Sequence, residues 1–184
     1  MSRTRYLARL ALLVAVGVLL PLITHVSGVP GPVFLPMHLP VLLAGFLLGP
    51  PAGLLVGIAA PLGSFALTGR PPLTPPVLPV MVIELVVYGT VAGLGHSVLV
   101  HRTRLASSRP MDSSGWLPFL FLPVAMLAGR FVMGLAIWLL GPLFGWPFQA
   151  CPYVVGATLT GLPGIILQLA LIPPLVRAIG RIWQ

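Results

Sequence analysis

The sequence predicts an all-α integral membrane protein of six transmembrane helices, arranged as one transmembrane domain over residues 1–184. Three observations carry that prediction. Hydrophobic residues make up 58% of the chain and charged residues only 7%, with a mean hydropathy of +1.07; a soluble domain carries roughly a quarter charged residues. The apolar residues gather into six stretches, most of them close to the roughly 20 residues that cross a hydrocarbon core as a helix. The ten cations are all arginine, and all but Arg130 stand between the apolar stretches or near their ends. A nucleic-acid binder would instead cluster its cations on one solvated face, so the net charge of +8 does not indicate one.

The first span is expected over Tyr6–Thr24. Arg3, Arg5 and Arg9 before an apolar run also fit a signal peptide, but five further runs follow and no small-residue cleavage site closes the first. The second span, Pro36–Leu48, is short. The third, Ala52–Leu67, follows Gly49-Pro50-Pro51, a helix-breaking turn. Spans two and three also fit one re-entrant hairpin, which would leave four spans. The fourth is expected over Pro76–Val100 and the fifth over Trp116–Leu140. The sixth, Tyr153–Ala178, is expected to begin irregularly through Gly161-Leu162-Pro163-Gly164.

Arginine placement sets the expected orientation, because cytoplasmic loops collect Lys and Arg. With the N-terminus inside, Arg3, Arg5, Arg9, Arg102, Arg104, Arg109, Arg177 and Arg181 are all internal, eight of the ten. Arg70 alone falls in an outer loop, and Arg130 falls within span five. Both termini are therefore expected in the cytoplasm. The outer loops, about 25–35, 68–75 and 141–152, are rich in Gly and Pro and nearly uncharged; the inner 101–115 loop is polar and basic. No ATP-binding motif is seen, so any energy source must come from an ion gradient or a partner.

Ionisable residues inside a membrane are costly and mark a site by default. Glu84 and Arg130 are the two clear cases, and antiparallel spans four and five bring them to similar depth. Two readings stay open: a buried ion pair that fixes helix packing, or a ligand site in which Arg130 forks a carboxylate. Tyr88 shares the Glu84 face one turn later. His38, at the outer start of span two, either hydrogen-bonds a ligand or caps its helix. His25 is less specific. Gln168 in span six is a further buried polar candidate, with interhelical hydrogen bonding as the alternative. A metal site wants at least a third ligand beside the two histidines, so neither a metal nor any other cofactor is expected. The lone Cys151 excludes an internal disulfide and receives no role.

Small residues form a second pattern. Ala11 and Ala15, preceded by Ala8, make a small-xxx-small pair, which lets helices approach closely in lipid. Gly45, Gly49, Gly53 and Gly57 repeat at four-residue spacing. Each pattern serves either internal packing or docking of another subunit.

Taken together, these features resemble the substrate-binding S components of energy-coupling-factor (ECF) transporters. The resemblance spans nearly the whole chain. It rests on the six-span, basic-inside layout, on Ala11 and Ala15, and on the long stretch Phe34-Leu35-Pro36-Met37-His38-Leu39-Pro40 through Gly49-Pro50, continued by Gly53-Leu54-Leu55-Val56-Gly57. Thr68-Gly69-Arg70-Pro71-Pro72 and Glu84-Leu85-Val86-Val87-Tyr88-Gly89 add to it. It implies a vitamin-binding protein of a prokaryotic cell membrane without enzymatic activity. Such a protein docks through its first three helices, with Ala11 and Ala15 on the docking face, onto a membrane coupling subunit carrying two cytoplasmic ATPases. It also implies that outer loops 25–35, 68–75 and 141–152 cover the ligand, and that the protein topples in the membrane to deliver it.

Glu84, Arg130, His38, Tyr88 and Gln168 are accordingly the expected substrate-binding residues. Arg130 fits a carboxylate-bearing vitamin, whereas a self-neutralised Glu84–Arg130 pair fits an uncharged or zwitterionic one. The alternative class is a self-sufficient proton-coupled transporter of a small organic acid, with Glu84 as the proton site. Such a transporter would show inverted-repeat symmetry, which the sequence does not display. A membrane enzyme would need another convergent polar group.

Overall fold

Glycine and proline set most of the helix boundaries. In a computed structural model, which describes residues 2–28, 30–72, 76–105, 117–147 and 149–183, the helices are α1 (Arg3–Val26), α2 (Gly31–Phe34), α3 (His38–Leu48), α4 (Pro50–Thr68), α5 (Val77–Leu105), α6 (Leu117–Phe144), α7 (Ala150–Thr160) and α8 (Leu162–Ile182). Gly49, at φ 94°, ends α3 and leads into Pro50-Pro51 at the start of α4, where proline's missing N–H costs nothing. Gly69, left-handed at φ 68°, closes α4 by donating its N–H to the Phe65 carbonyl at 2.8 Å.

Six helical segments are long and apolar enough to cross a membrane: Arg3–Val26, Gly31–Leu48, Pro50–Thr68, Val77–Val98, Leu120–Phe144 and Leu162–Ile182. Two expectations change. The second span is not short, because α2 extends it back to Gly31; the four-span alternative loses its basis. The sixth span is not continuous over Tyr153–Ala178: Gly161 separates α7 from α8, with Pro163 in the first turn of α8. A proline placed there cannot donate to the preceding turn, so the two helices form separately. Eleven residues give α7 a length of about 16 Å, too short to span. Most of the basic loop 101–115, from residue 106 on, lies outside the described residues.

Helix α5 is the centre of the bundle and packs against α3, α4 and α6. Its buried residues Val80, Glu84, Leu85, Tyr88, Gly89, Ala92 and Gly93 follow a helical stripe. Gly53 and Gly89 face each other so closely that a Cβ on either would meet the other's backbone, and Gly45 and Gly57 are closed off by α5 in the same way. Gly45, Gly53 and Gly57 therefore serve internal packing, the close backbone approach that small residues permit in lipid, while Gly49 serves the turn between α3 and α4. The opposite faces are apolar and open: Leu127, Phe131 and Trp138 of α6 are each more than 60% exposed, an arrangement acyl chains accept and water would not.

The chain ends meet. Arg9 donates from Nη2 to the Trp183 carbonyl at 2.7 Å and its guanidinium lies 4.7 Å from the Trp183 ring centroid. Both termini thus lie at one end of the bundle. The opposite end, where α1 and α4 finish and α3 and α5 begin, holds the cavity described next.

Candidate ligand-binding cavity

The corner between α2 and α3 is built around one left-handed residue, Leu35, at φ 50° and ψ 50°. Its N–H bonds the Gly31 carbonyl at 2.9 Å, and its carbonyl accepts from the His38 N–H at 3.1 Å and from Gln168 Nε2 at 3.3 Å. Gly164, one turn before Gln168, lies against the Val33 and Phe34 carbonyls, leaving no room for a methyl group. Helix α8 thus clamps the corner that aims His38 inward. His38 is 2% exposed, and neither of its ring nitrogens has a hydrogen-bond partner.

Behind His38 stands Tyr88, ring edge to ring face, with centroids 5.1 Å apart and planes at 63°. The Tyr88 ring fills the space a Cβ would take at Gly129, and its hydroxyl is within hydrogen-bond reach of the Glu84 carboxyl one turn earlier. Arg130 directly follows Gly129, so the nesting of Tyr88 on α6 also sets Arg130 against Glu84. Arg130 Nη1 lies 3.1 Å from Glu84 Oε1 and 3.7 Å from the Met133 sulfur.

The ion pair uses only part of the guanidinium. Nε and Nη2 of Arg130 are buried without partners. These two N–H groups form the guanidinium edge that grips a carboxylate with two parallel bonds. A buried donor left unmade is costly.

His38, Glu84 and Arg130 belong to the wall of a cavity of about 620 Å³, well within the range of small-molecule sites. His38, Glu84, Arg130 and Met133 lie on its wall, as do Pro21, Thr24 and His25 from α1, Arg70 to Pro72 after α4, Val77, Val80 and Met81 from α5, and Pro152, Tyr153, Gly156, Ala157 and Thr160 from α7. The remainder of the wall comes from the α2–α3 corner.

A family model described as the ECF transporter substrate-specific component matches residues 5–176. The chain belongs to that family. No curated protein and no solved structure gives a significant match. As an S component the chain is a substrate-specific membrane subunit of an ECF transporter, a multi-pass protein of a class that works with a coupling subunit and ATPases. The family is one of transport components, not of enzymes.

Within this S component, three of the five residues singled out from the sequence, His38, Glu84 and Arg130, share the cavity wall. Tyr88 and Gln168 do not reach it; one braces His38 and Glu84 from behind, and the other holds the Leu35 carbonyl. The Glu84 and Arg130 side chains contact each other, and both residues line the cavity. Ala11 and Ala15 are remote from the cavity and lie on an exposed face of α1. Sequence reasoning named no candidate residue on α7 and did not single out Arg70, although Arg70 lies in the 68–75 loop that the resemblance placed over the ligand. The signal for Arg70 was present, since it is the single arginine that breaks the basic-inside pattern.

Proposed function

We propose that this S component captures a small carboxylate-bearing vitamin or related micronutrient in the cavity, with the carboxylate on the free Nε/Nη2 edge of Arg130. That unpartnered edge is the observation carrying the proposal. Charge balance supports it: the described wall holds Arg130, Arg70 and Glu84, one positive charge in excess. Glu84 holds Arg130 in place and His38 offers a neutral donor or acceptor to a neighbouring group of the ligand. The close pairing of Glu84 with Arg130 favours this role over that of a free proton carrier.

The arginine distribution supports a cavity opening to the outside of a prokaryotic cell membrane, both termini being cytoplasmic. Delivery inward would require docking on the coupling subunit with its two ATPases. The Ala8, Ala11 and Ala15 stripe on α1 suits that contact, because its small side chains are exposed and would let a partner helix approach closely.

Native mass spectrometry or thermal shift of the purified protein against water-soluble vitamins tests the binding role. A carboxylate vitamin should bind, its amide should bind at least tenfold more weakly, and Arg130→Gln should remove the difference. Equal binding of acid and amide would sink the assignment. Ala11→Trp or Ala15→Trp should leave ligand binding intact and prevent co-purification with a coupling subunit; unimpaired assembly would return these alanines to a lipid-facing role.

A further inference from the structure

We infer that the cavity is built for a two-headed anion: one carboxylate on the buried edge of Arg130, and a second at the mouth on Arg70. This rests on the proposed role of Arg130 and adds to it the length and second charge of the ligand. The wall has two polar levels. The deep one holds His38, Glu84 and Arg130, all less than a tenth exposed. The other, at the mouth, holds Arg70 with Thr24 and His25. Between them the wall is apolar, with Pro21, Leu35, Val77 and Met81.

The helices measure the separation. Glu84 lies seven residues into α5 from Val77, about 10 Å along the axis. On α4, Gly57 packs on the backbone of Leu85, and the helix runs another eleven residues to Thr68, about 16 Å; Arg70 follows two residues later. A compact single-ring acid on Arg130 would leave the mouth empty, whereas an extended molecule would reach it. Among the described residues Glu84 is the only acidic side chain on the wall, and it is engaged by Arg130. No carboxylate of the described wall therefore balances Arg70.

The test uses matched probes: adipate, suberate and sebacate, each against its own monomethyl ester, titrated into the purified full-length protein by calorimetry at low ionic strength, where exposed charges are least screened. At one chain length the diacid should bind roughly two- to five-fold more tightly than its ester, the gain expected of an exposed ion pair. Arg70→Gln should abolish that gain, so that diacid and ester bind alike. Arg70 is exposed, so its substitution does not threaten the fold, and an unaltered melting temperature would verify this.

Diacid and ester binding alike at every length, a gain that survives Arg70→Gln, or no binding of any probe would each overturn the two-headed ligand. The role of Arg130 is separable. Ester binding that Arg130→Gln weakens, with no gain from the second carboxylate, defeats only this inference. Ester binding indifferent to Arg130→Gln defeats the deep carboxylate site as well.

Discussion

The block formed by α3, α4 and α5 and the wall formed by α2 and α7 are both rich in glycine, yet they use it in opposite ways. In the block, Gly53 meets Gly89, and Gly57 meets the backbone of Leu85, with no space for a methyl group. In the wall, Gly31 and Gly156 have nothing within 4 Å of a added Cβ, and α7 has no buried residue. The block is a fixed frame that sets Glu84, Tyr88 and His38 at defined positions. The wall is thinly packed and gives the cavity its shape. Few buried contacts mean low local stability, so opening for a ligand should occur on the α7 side, α2 being clamped by Gly164 of α8.

The largest effect should come from disturbing the frame. Gly53→Leu drives a side chain into the backbone of Gly89, which cannot yield as a flexible side-chain tip would. Overpacking alone costs about 1–3 kcal/mol, and separating two helix backbones should exceed that. Little folded, monodisperse protein should be recovered in detergent. Recovery of normal amounts with an unchanged melting temperature would show that the block is as compliant as the wall.

Next is the pair that joins the frame to the cavity. Arg130→Ala leaves the Glu84 carboxyl buried without its cation, a loss of about 3–5 kcal/mol, read as a lowered melting temperature. The double variant Glu84→Gln/Arg130→Gln removes both charges and should recover much of that stability, yet ligand binding should stay lost. Recovery of binding together with stability would reduce the pair to packing. A smaller change is expected from Gln168→Leu. Its amide bonds the Leu35 carbonyl at 3.3 Å, but that carbonyl keeps the His38 N–H at 3.1 Å. The stability loss should be at most about 1 kcal/mol, and faster ligand release would report a loosened α2–α3 corner.

The same contrast explains what was legible in the sequence. Hydropathy and arginine spacing located all six spans because a bilayer penalises every charge and every unpaired backbone group. Glu84 and Arg130 stood out for the same reason. Gly45, Gly53 and Gly57, open between packing and docking at the level of spacing, are resolved by the backbone of α5 facing them. Three features were not legible. The break at Gly161 was expected only as an irregular start, because an apolar run through α7 and α8 looks continuous to hydropathy. Arg70 was marked only as the one arginine of an outer loop; its place on the cavity wall follows from the course of the chain after α4. Tyr88 was placed on the right helix face, but its distance from the cavity is decided by the absent side chain of Gly129.

The mildest substitution gives the sharpest contrast, because it can be made identically in both regions. Gly156→Ala adds a methyl group to α7 with nothing within 4 Å. In an ordinary helix that exchange gains about 0.5–1 kcal/mol by restricting the unfolded backbone. Here it should raise the melting temperature slightly, and because Gly156 lines the cavity, ligand affinity should change by only a few-fold. Gly53→Ala, the same atom added to α4, should lower the melting temperature, because its methyl group meets the carbonyl of Gly89. Opposite signs from one chemical change would establish that the block is packed to backbone contact while the wall retains free volume. Equal signs would mean that the wall closes more tightly around the cavity than its open glycines indicate, and the search for the moving segment would shift to α2 and the Leu35 corner.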